Sequence, residues 1–323
     1  MVKIGTVEID GLVGLAPMAG VADRAMRELC REYGAAYTVG ELASARGICL
    51  DDRRSAGYLF CADATRPAAS QLFGSDPAVM AAAAEKALTF SPDFLDINMG
   101  CPAPKIAGNG GGSALMRDPV LAEKIVRAVV SVATVPVTVK MRTGWDSEHK
   151  TAVEIAKRCE AAGVAAITVH GRTRTQMYAP LVDYETVRAV KQAVSVPVIG
   201  NGDVQDGKSA REMMEKTGCD LVAVGRAAMG NPFVFAEINA FLQGRDYCRP
   251  PLAERLLVLK RQIALMERYK DEHIAMLEAR KHAAWYMNGL RGAADLRRMC
   301  GEISCPADVE RVCEKALELN AQL

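Results

Sequence analysis

A chain of 323 residues, half of them hydrophobic, is long enough to bury the core of one large domain, or of one domain with a smaller companion, and it excludes a disordered protein. The formal net charge of +1 selects neither an acidic nor a basic partner. No stretch approaches the roughly 18 apolar residues of a membrane span, and no apolar run follows a basic start, so a soluble, unexported, cytoplasmic protein with no membrane partner is expected.

Short runs rich in Val, Ile, Leu and Ala recur from the N-terminus to about Arg226, each followed by a stretch of helical periodicity. They predict strands at residues 12–16, 36–39, 69–73, 94–97, 135–140, 165–170, 197–201 and 220–224. Near-continuous apolar runs mark strands buried on both faces, and alternation with helices implies parallel pairing through crossovers. Eight such units in about 230 residues predict an α/β fold, a (β/α)8 TIM barrel. "VPVTVK" and "AITVHGR" are echoed by "VPVIGN" and "LVAVGR", as though two βα pairs were used twice, although any two parallel units share such features.

Past "GNPFVF" the pattern changes. Gly244, Pro250 and Pro251 break a helix, and from Leu252 onward the spacing of Leu256, Leu259, Ile263 and Met266 is helical with no strand signal. The predicted organisation is a barrel domain at 1–243, a linker at 244–251 and a small all-helical C-terminal domain at 252–323. Residues 251–298 carry ten Lys and Arg against six Asp and Glu, whereas 299–323 carry two against five. The ten cysteines are scattered, which fits reduced thiols better than disulfides; Cys300, Cys305 and Cys313 match no compact metal-binding spacing, and no metal is expected.

In such a barrel the chemistry sits just past the C-terminal end of each strand. Those positions hold "APMAG" (Ala16 to Gly20), Gln71, Asn98 and Cys101, Lys140 and Arg142, His170 and Arg172, Asn201 to Asp203, and Gly225 with Arg226. Gly202 and Gly225, on the loops after the last two strands, would let backbone N–H groups approach a phosphate, with Arg226 adding charge; glycine there is also ordinary turn chemistry. Lys140 reads either as a solvated lysine or as a cation that stabilises negative charge on a reduced flavin ring, and His170 either as a hydrogen-bonded core-edge histidine or as a ligand contact. "GNGGGS" lacks the frame of a nucleotide-binding loop.

"APMAG", "DINMGCPAPK", "GGGSALM", "VKMRTGW", "TVHGRTR", "VIGNGD" and "VGRAAMGNP" together resemble the tRNA-dihydrouridine synthases, most closely the bacterial B-type branch. The likeness runs in order over residues 14–232 and resumes at 279–286, "ARKHAAWY". It implies an FMN-dependent barrel that reduces the C5–C6 double bond of uridines in tRNA, with NADPH or NADH as reductant and with other structured RNA as a further candidate partner. No obligate protein partner is evident. Pro17, Met18, Ala19, Gln71, Lys140, His170, Asn201, Gly202, Asp203, Gly225 and Arg226 would contact FMN. Cys101 would be the catalytic acid, protonating C5 while hydride from flavin N5 reaches C6. Asn98 suits the uracil edge, and Lys105, Arg142, Arg172, Arg280 and Lys281 would face the RNA, the last two from a helix that also carries His282, Trp285 and Tyr286. Where the family usually reads Gly-Ala-Gly-Ser, this chain has Gly110, Gly111, Gly112 and Ser113, a departure that bears on substrate preference rather than reaction class. The alternatives are an FMN barrel acting on a free pyrimidine such as dihydroorotate, which needs no helical appendage, and a catalytically silent RNA-binding barrel, against which an intact Cys101, Lys140 and His170 speak.

Overall fold

The computed structural model describes residues 1–61 and 63–321; residues 62, 322 and 323, which fall within the expected barrel and helical domains, lie outside the described residues. Two short antiparallel strands, β1 (Val2–Ile4) and β2 (Val7–Ile9), come first. Eight parallel strands follow: β3 (Val13–Leu15), β4 (Thr38–Ser44), β5 (Ala68–Phe73), β6 (Phe94–Met99), β7 (Val137–Arg142), β8 (Ala166–His170), β9 (Val198–Asn201) and β10 (Leu221–Val224). They close into a barrel in sequence order, β10 pairing with β3. All eight predicted strands are present.

Their ends differ where polar residues interrupt the apolar runs. β4 continues through Gly40 and Glu41 to Ser44, with a register shift between Val39 and Leu42, and β6 and β7 extend to Met99 and Arg142. Asn98 on β6 and Arg142 on β7 line the cavity at the barrel mouth, so hydropathy alone stops those strands too early. The hairpin β1–β2 was not among the predicted elements because three-residue strands carry too little periodicity to register. It turns at Gly5, φ +58°, where a Cβ would lie 2.7 Å from the Pro136 ring. Ile4 and Ile9 are buried in one cluster with Phe94, Ala166, Ile199 and Leu221, so the hairpin plugs the N-terminal end of the barrel.

The register explains how the interior changes character along its axis. Side chains two apart share a face, and cross-strand partners lie side by side. Gln71 pairs with Asp96 and Asp96 with Thr138; one step higher Asn98 pairs with Lys140; at the mouth Arg142 pairs with His170 and His170 with Asn201. The floor is apolar and the rim polar. Outside, helices pack over the strands, and among the described residues six of them begin at an aspartate, Asp23, Asp52, Asp76, Asp118, Asp183 or Asp206, whose side chain accepts the N–H three residues on. Such caps fix where each loop gives way to helix.

Four helices end the chain: Leu252–Tyr269, Glu272–Tyr286, Ala293–Gly301 and Pro306–Leu319. Their core, with Leu256, Leu259, Met276 and Val312, also takes in Ala25 and Leu29 from the helix Arg24–Glu32, and Phe233. Polar contacts reinforce the junction. Lys270 pairs with both Asp23 and Glu278, Arg261 with Glu32 at 2.6 Å, and the Tyr269 hydroxyl donates to Glu28 at 2.8 Å. Although burial opposes its charge, Lys270 holds the Asp23 carboxyl below the ordinary range.

His282 is sealed in this junction, its Nδ1 accepting from Gln262 Nε2 at 2.9 Å, while Tyr286 donates to Gln262 Oε1 at 3.0 Å. Burial lowers the imidazole to about 4, against the pull of Asp23. An unfolded histidine titrates near ~6.5, so between those values the unfolded chain binds more protons and stability is lost as pH falls, on the order of 3 kcal/mol once both are passed. The expected result is a Tm that drops as pH goes from about 6.5 to about 4, and a flatter profile in His282→Gln, which keeps an acceptor for Gln262. An unchanged profile in that variant would place the titrating group elsewhere.

Candidate active site

A cavity of about 780 Å³ opens at the C-terminal ends of the strands. Every residue expected to hold the cofactor lines it: Pro17, Met18 and Ala19 after β3, Gln71 on β5, Lys140 on β7, His170 on β8, Asn201, Gly202 and Asp203 after β9, and Gly225 and Arg226 after β10. Asn98, Cys101 and Arg142 line it too.

The turn "DINMGCP" owes its shape to hydrogen bonds with donors and acceptors in sequence. Asn98 Oδ1 accepts the N–H of Cys101 at 2.9 Å and of Gly100 at 3.2 Å, while its Nδ2 donates to Gln71 Oε1 at 2.8 Å. Gln71 Nε2 in turn donates to Asp96 Oδ2 at 2.6 Å, and Thr138 Oγ1 to Asp96 Oδ1 at 2.6 Å. On the far side of the turn, Ser113 N–H donates to the Cys101 carbonyl at 3.0 Å. Gly112, at φ +56°, lies so close that a Cβ would sit 2.8 Å from that carbonyl and 3.2 Å from Cys101 Cβ. The glycine run is therefore a buttress for the cysteine, with Gly110 and Gly112 at positive φ on either side of an extended Gly111.

Burial raises the Cys101 thiol, against the Ala103 N–H and the charges of Arg142 and Lys140, so it is protonated at neutral pH. A half-buried, protonated thiol can give up a proton, and the two cations beside it stabilise the thiolate left behind. Burial and the neighbouring Arg142 bring Lys140 down to about 8, still charged for the most part at neutral pH, while Asp96 and Cys101 oppose the shift. Arg142 is lowered by burial to about 10; it donates to the carbonyls of Gly100 at 2.8 Å, Thr173 at 2.8 Å and Met177 at 2.9 Å, tying the thiol turn to the loop after β8. His170 is pushed well down by burial and by Lys140, Arg142, Arg172 and Arg226, so its ring is neutral and offers one donor and one acceptor.

The β9 and β10 loops form the other end of the cavity. Asn201 Nδ2 donates to Ala223 O at 2.8 Å, fixing one loop against the next strand. Gly202, φ +124°, has the His170 ring 3.1 Å from where a Cβ would be, whereas a Cβ at Gly225 would meet nothing nearer than Met18 Sδ at 3.8 Å, so the backbone face of Gly225 is open. Asp203 bridges Arg172 and Arg226, the latter at 3.0 Å, leaving an excess of one positive charge.

Other residues expected to face RNA lie apart from the cavity lining. Arg172 is only 2% exposed and is committed to Asp203 and the Pro180 carbonyl. Lys105 is exposed on the short helix Pro104–Ala107 beyond the thiol turn. Arg280 Nε donates to Ile303 O at 2.9 Å within the helical core's edge. Lys281 reaches the other way, its Nζ 3.1 Å from the Cβ position of Gly20, on the loop that carries Pro17 to Ala19. Asp96 and Thr138 are concealed in the sequence by apolar runs, and no motif marks Tyr178, whose ring lies 4.9 Å from the Arg226 guanidinium and 5.8 Å from that of Arg142 across the cavity wall.

Residues 14–322 match the family model described as "Dihydrouridine synthase (Dus)". A protein named tRNA-dihydrouridine synthase B from Pseudomonas aeruginosa is 39% identical over 323 residues, 100% of this chain and 96% of its own length. A probable tRNA-dihydrouridine synthase from Rickettsia conorii is 40% identical over 321 residues, 98% of this chain and 96% of its own. A tRNA-dihydrouridine synthase B from Vibrio parahaemolyticus is 38% identical over 310 residues, covering 95% and 96%.

Proposed function

Since the chain belongs to the dihydrouridine synthase family, we propose how its residues divide the work of reducing uridine in tRNA to 5,6-dihydrouridine. The chain is an oxidoreductase of the class acting on CH–CH bonds, with FMN as cofactor and NADPH or NADH as donor. The match continues through residue 322 and so includes the helical segment, which a free-pyrimidine enzyme does not need.

The residues present fit FMN. The open backbone of Gly225, the Gly202 turn and the net positive charge around Asp203 suit its phosphate; Gln71, Lys140 and neutral His170 suit a ring that is uncharged when oxidised and anionic when reduced. When bound, FMN supplies the hydride that adds to uracil C6. Cys101 gives its proton to C5; the thiolate left behind is stabilised by Lys140 and Arg142 and regains a proton from solvent. Asn98 presents an N–H to the base, and the base must leave its stack to reach a recessed thiol. The observation that carries this reading is that the Cys101 turn, Lys140 and the glycine loops share one cavity.

We assign residues 1–243 to cofactor and chemistry, 244–251 to a linker, and 252–323 to holding RNA, with Lys105, Arg172, Arg280 and Lys281 on the substrate side; other structured RNA is a secondary partner. Ten cysteines without a disulfide support a reducing, cytoplasmic setting.

The test is direct. Purified protein should be yellow, hold FMN non-covalently, and form dihydrouridine in tRNA when given NADPH. A colourless protein that gains no flavin absorbance with added FMN would overturn the cofactor site, and flavin reduction without dihydrouridine would overturn the substrate.

A further inference from the structure

Asp96 is a buried carboxylate on β6 that the reaction above does not use. We propose that it is a positioning residue, setting the polarity of an amide relay that ends on the backbone of the Cys101 turn; the inference rests on the assignment of Cys101 as the acid.

Gln71, Asp96 and Thr138 are neighbours on β5, β6 and β7, facing the barrel interior, and Asn98 stands one step above Asp96. A carboxylate only accepts hydrogen bonds, whereas the amide ends of Gln and Asn are nearly equal in size and opposite in polarity. Left alone, each amide turns over at little steric cost. Asp96 removes that freedom at the first link, because a glutamine oxygen facing a carboxylate oxygen at 2.6 Å would set two acceptors against each other. Gln71 must therefore turn its NH2 to Asp96 and its oxygen to Asn98 Nδ2, 2.8 Å away. Asn98 must then turn its oxygen to the N–H groups of Gly100 and Cys101.

A single acceptor at Asp96 thus fixes every later link, and Thr138 occupies its second oxygen so that it cannot swing to another partner. Burial raises the Asp96 carboxyl above its ordinary value, and the hydrogen bonds from Gln71 and Thr138, with the Lys140 charge on the neighbouring strand, oppose that rise. With an amide at position 96 the first link loses its direction. Inversion of Gln71 and Asn98 together is then opposed only by the two backbone donors that would face Asn98 NH2, and whenever it occurs the turn is released. Gln71 and Asn98 both line the cavity, so the fixed polarity also decides which end of each amide the cavity meets.

The relay can be rebuilt with its charge moved one residue along. In Asp96→Asn combined with Gln71→Glu, Thr138 donates to the new amide oxygen, that amide's NH2 donates to the new carboxylate, and the carboxylate accepts from Asn98 as before. Holoenzyme variants are compared in two ways: by iodoacetamide labelling of Cys101 against pH, read by peptide mass spectrometry to separate it from the other nine free cysteines, and by single-turnover uridine reduction. Asp96→Asn should label Cys101 at least about fivefold faster at neutral pH, as the turn loosens and the thiol loses burial. It should also slow single-turnover reduction by about 10²-fold with tRNA affinity unchanged. The double variant should return the labelling profile to that of the parent; uridine reduction is read only in the single variant, because Gln71 also lines the cofactor cavity. Parental labelling in Asp96→Asn, or a double variant that labels like the single one, would overturn the relay. If Asp96→Asn does not fold, the double variant carries the test alone, and a folded double variant with an altered profile overturns it. Labelling requires no RNA, so a parent enzyme that reduces no uridine would count against the proposed function and leave the relay to be judged separately.

Discussion

Cys101→Ala should keep FMN bound and lose uridine reduction by about 10² to 10⁴, the usual cost of removing a positioned acid. The thiol sits on a turn anchored by its own backbone, through Asn98 on one side and Ser113 on the other, so deleting one sulfur leaves the turn and the phosphate end of the cavity in place. Flavin absorbance and NADPH oxidation by dioxygen should be unaltered, because neither needs a proton at C5. Pre-reduced enzyme mixed with tRNA is the measurement. Parental rates of flavin oxidation by tRNA in the variant would assign the proton to another group.

The second large effect is expected from Gly112→Ala, a change that leaves every polar group of the site intact. Alanine at φ +56° costs about 1–2 kcal/mol in backbone strain alone. Its methyl would also meet the Cys101 carbonyl at 2.8 Å and the Ile106 side chain at 2.9 Å, and only Ile106 is free to move aside. The backbone of the thiol turn must shift by several tenths of an ångström. Displacing a reacting group by about 1 Å costs on the order of 10²-fold, so kcat should fall by roughly that amount while FMN content holds. A variant with parental kcat would mean that the turn is compliant and the close approach incidental.

The barrel was legible because eight apolar runs alternate with helices, a pattern that buried parallel strands impose on any sequence. The cavity residues were legible for a related reason: a polar or glycine residue immediately after such a run, as at Asn98, Lys140, His170 and Gly225, has nowhere to point but the mouth. What stayed hidden were residues whose role depends on a neighbour far along the chain. Asp96 sits inside an apolar run and acquires meaning only beside Gln71 and Thr138, which register brings to it from 25 and 42 residues away. Lys281 shows the same difficulty. Its place on a basic helix gives no hint that the fold brings its amine beside Gly20 and the cavity loop, where Ala25 and Leu29 join the helical core to the barrel.

The hairpin that plugs the barrel floor has a kinetic meaning. With Ile4 and Ile9 filling one end beneath a layer of Phe94, Ile199 and Leu221, the floor of the barrel is packed and the cavity opens at the rim. The electron donor and the extruded base are both planar heterocycles that must come within bonding range of the same ring, and the rim is where both would approach it. They are obliged to take turns, the first departing before the second arrives, so excess NADPH should compete with tRNA for the reduced enzyme instead of assisting it.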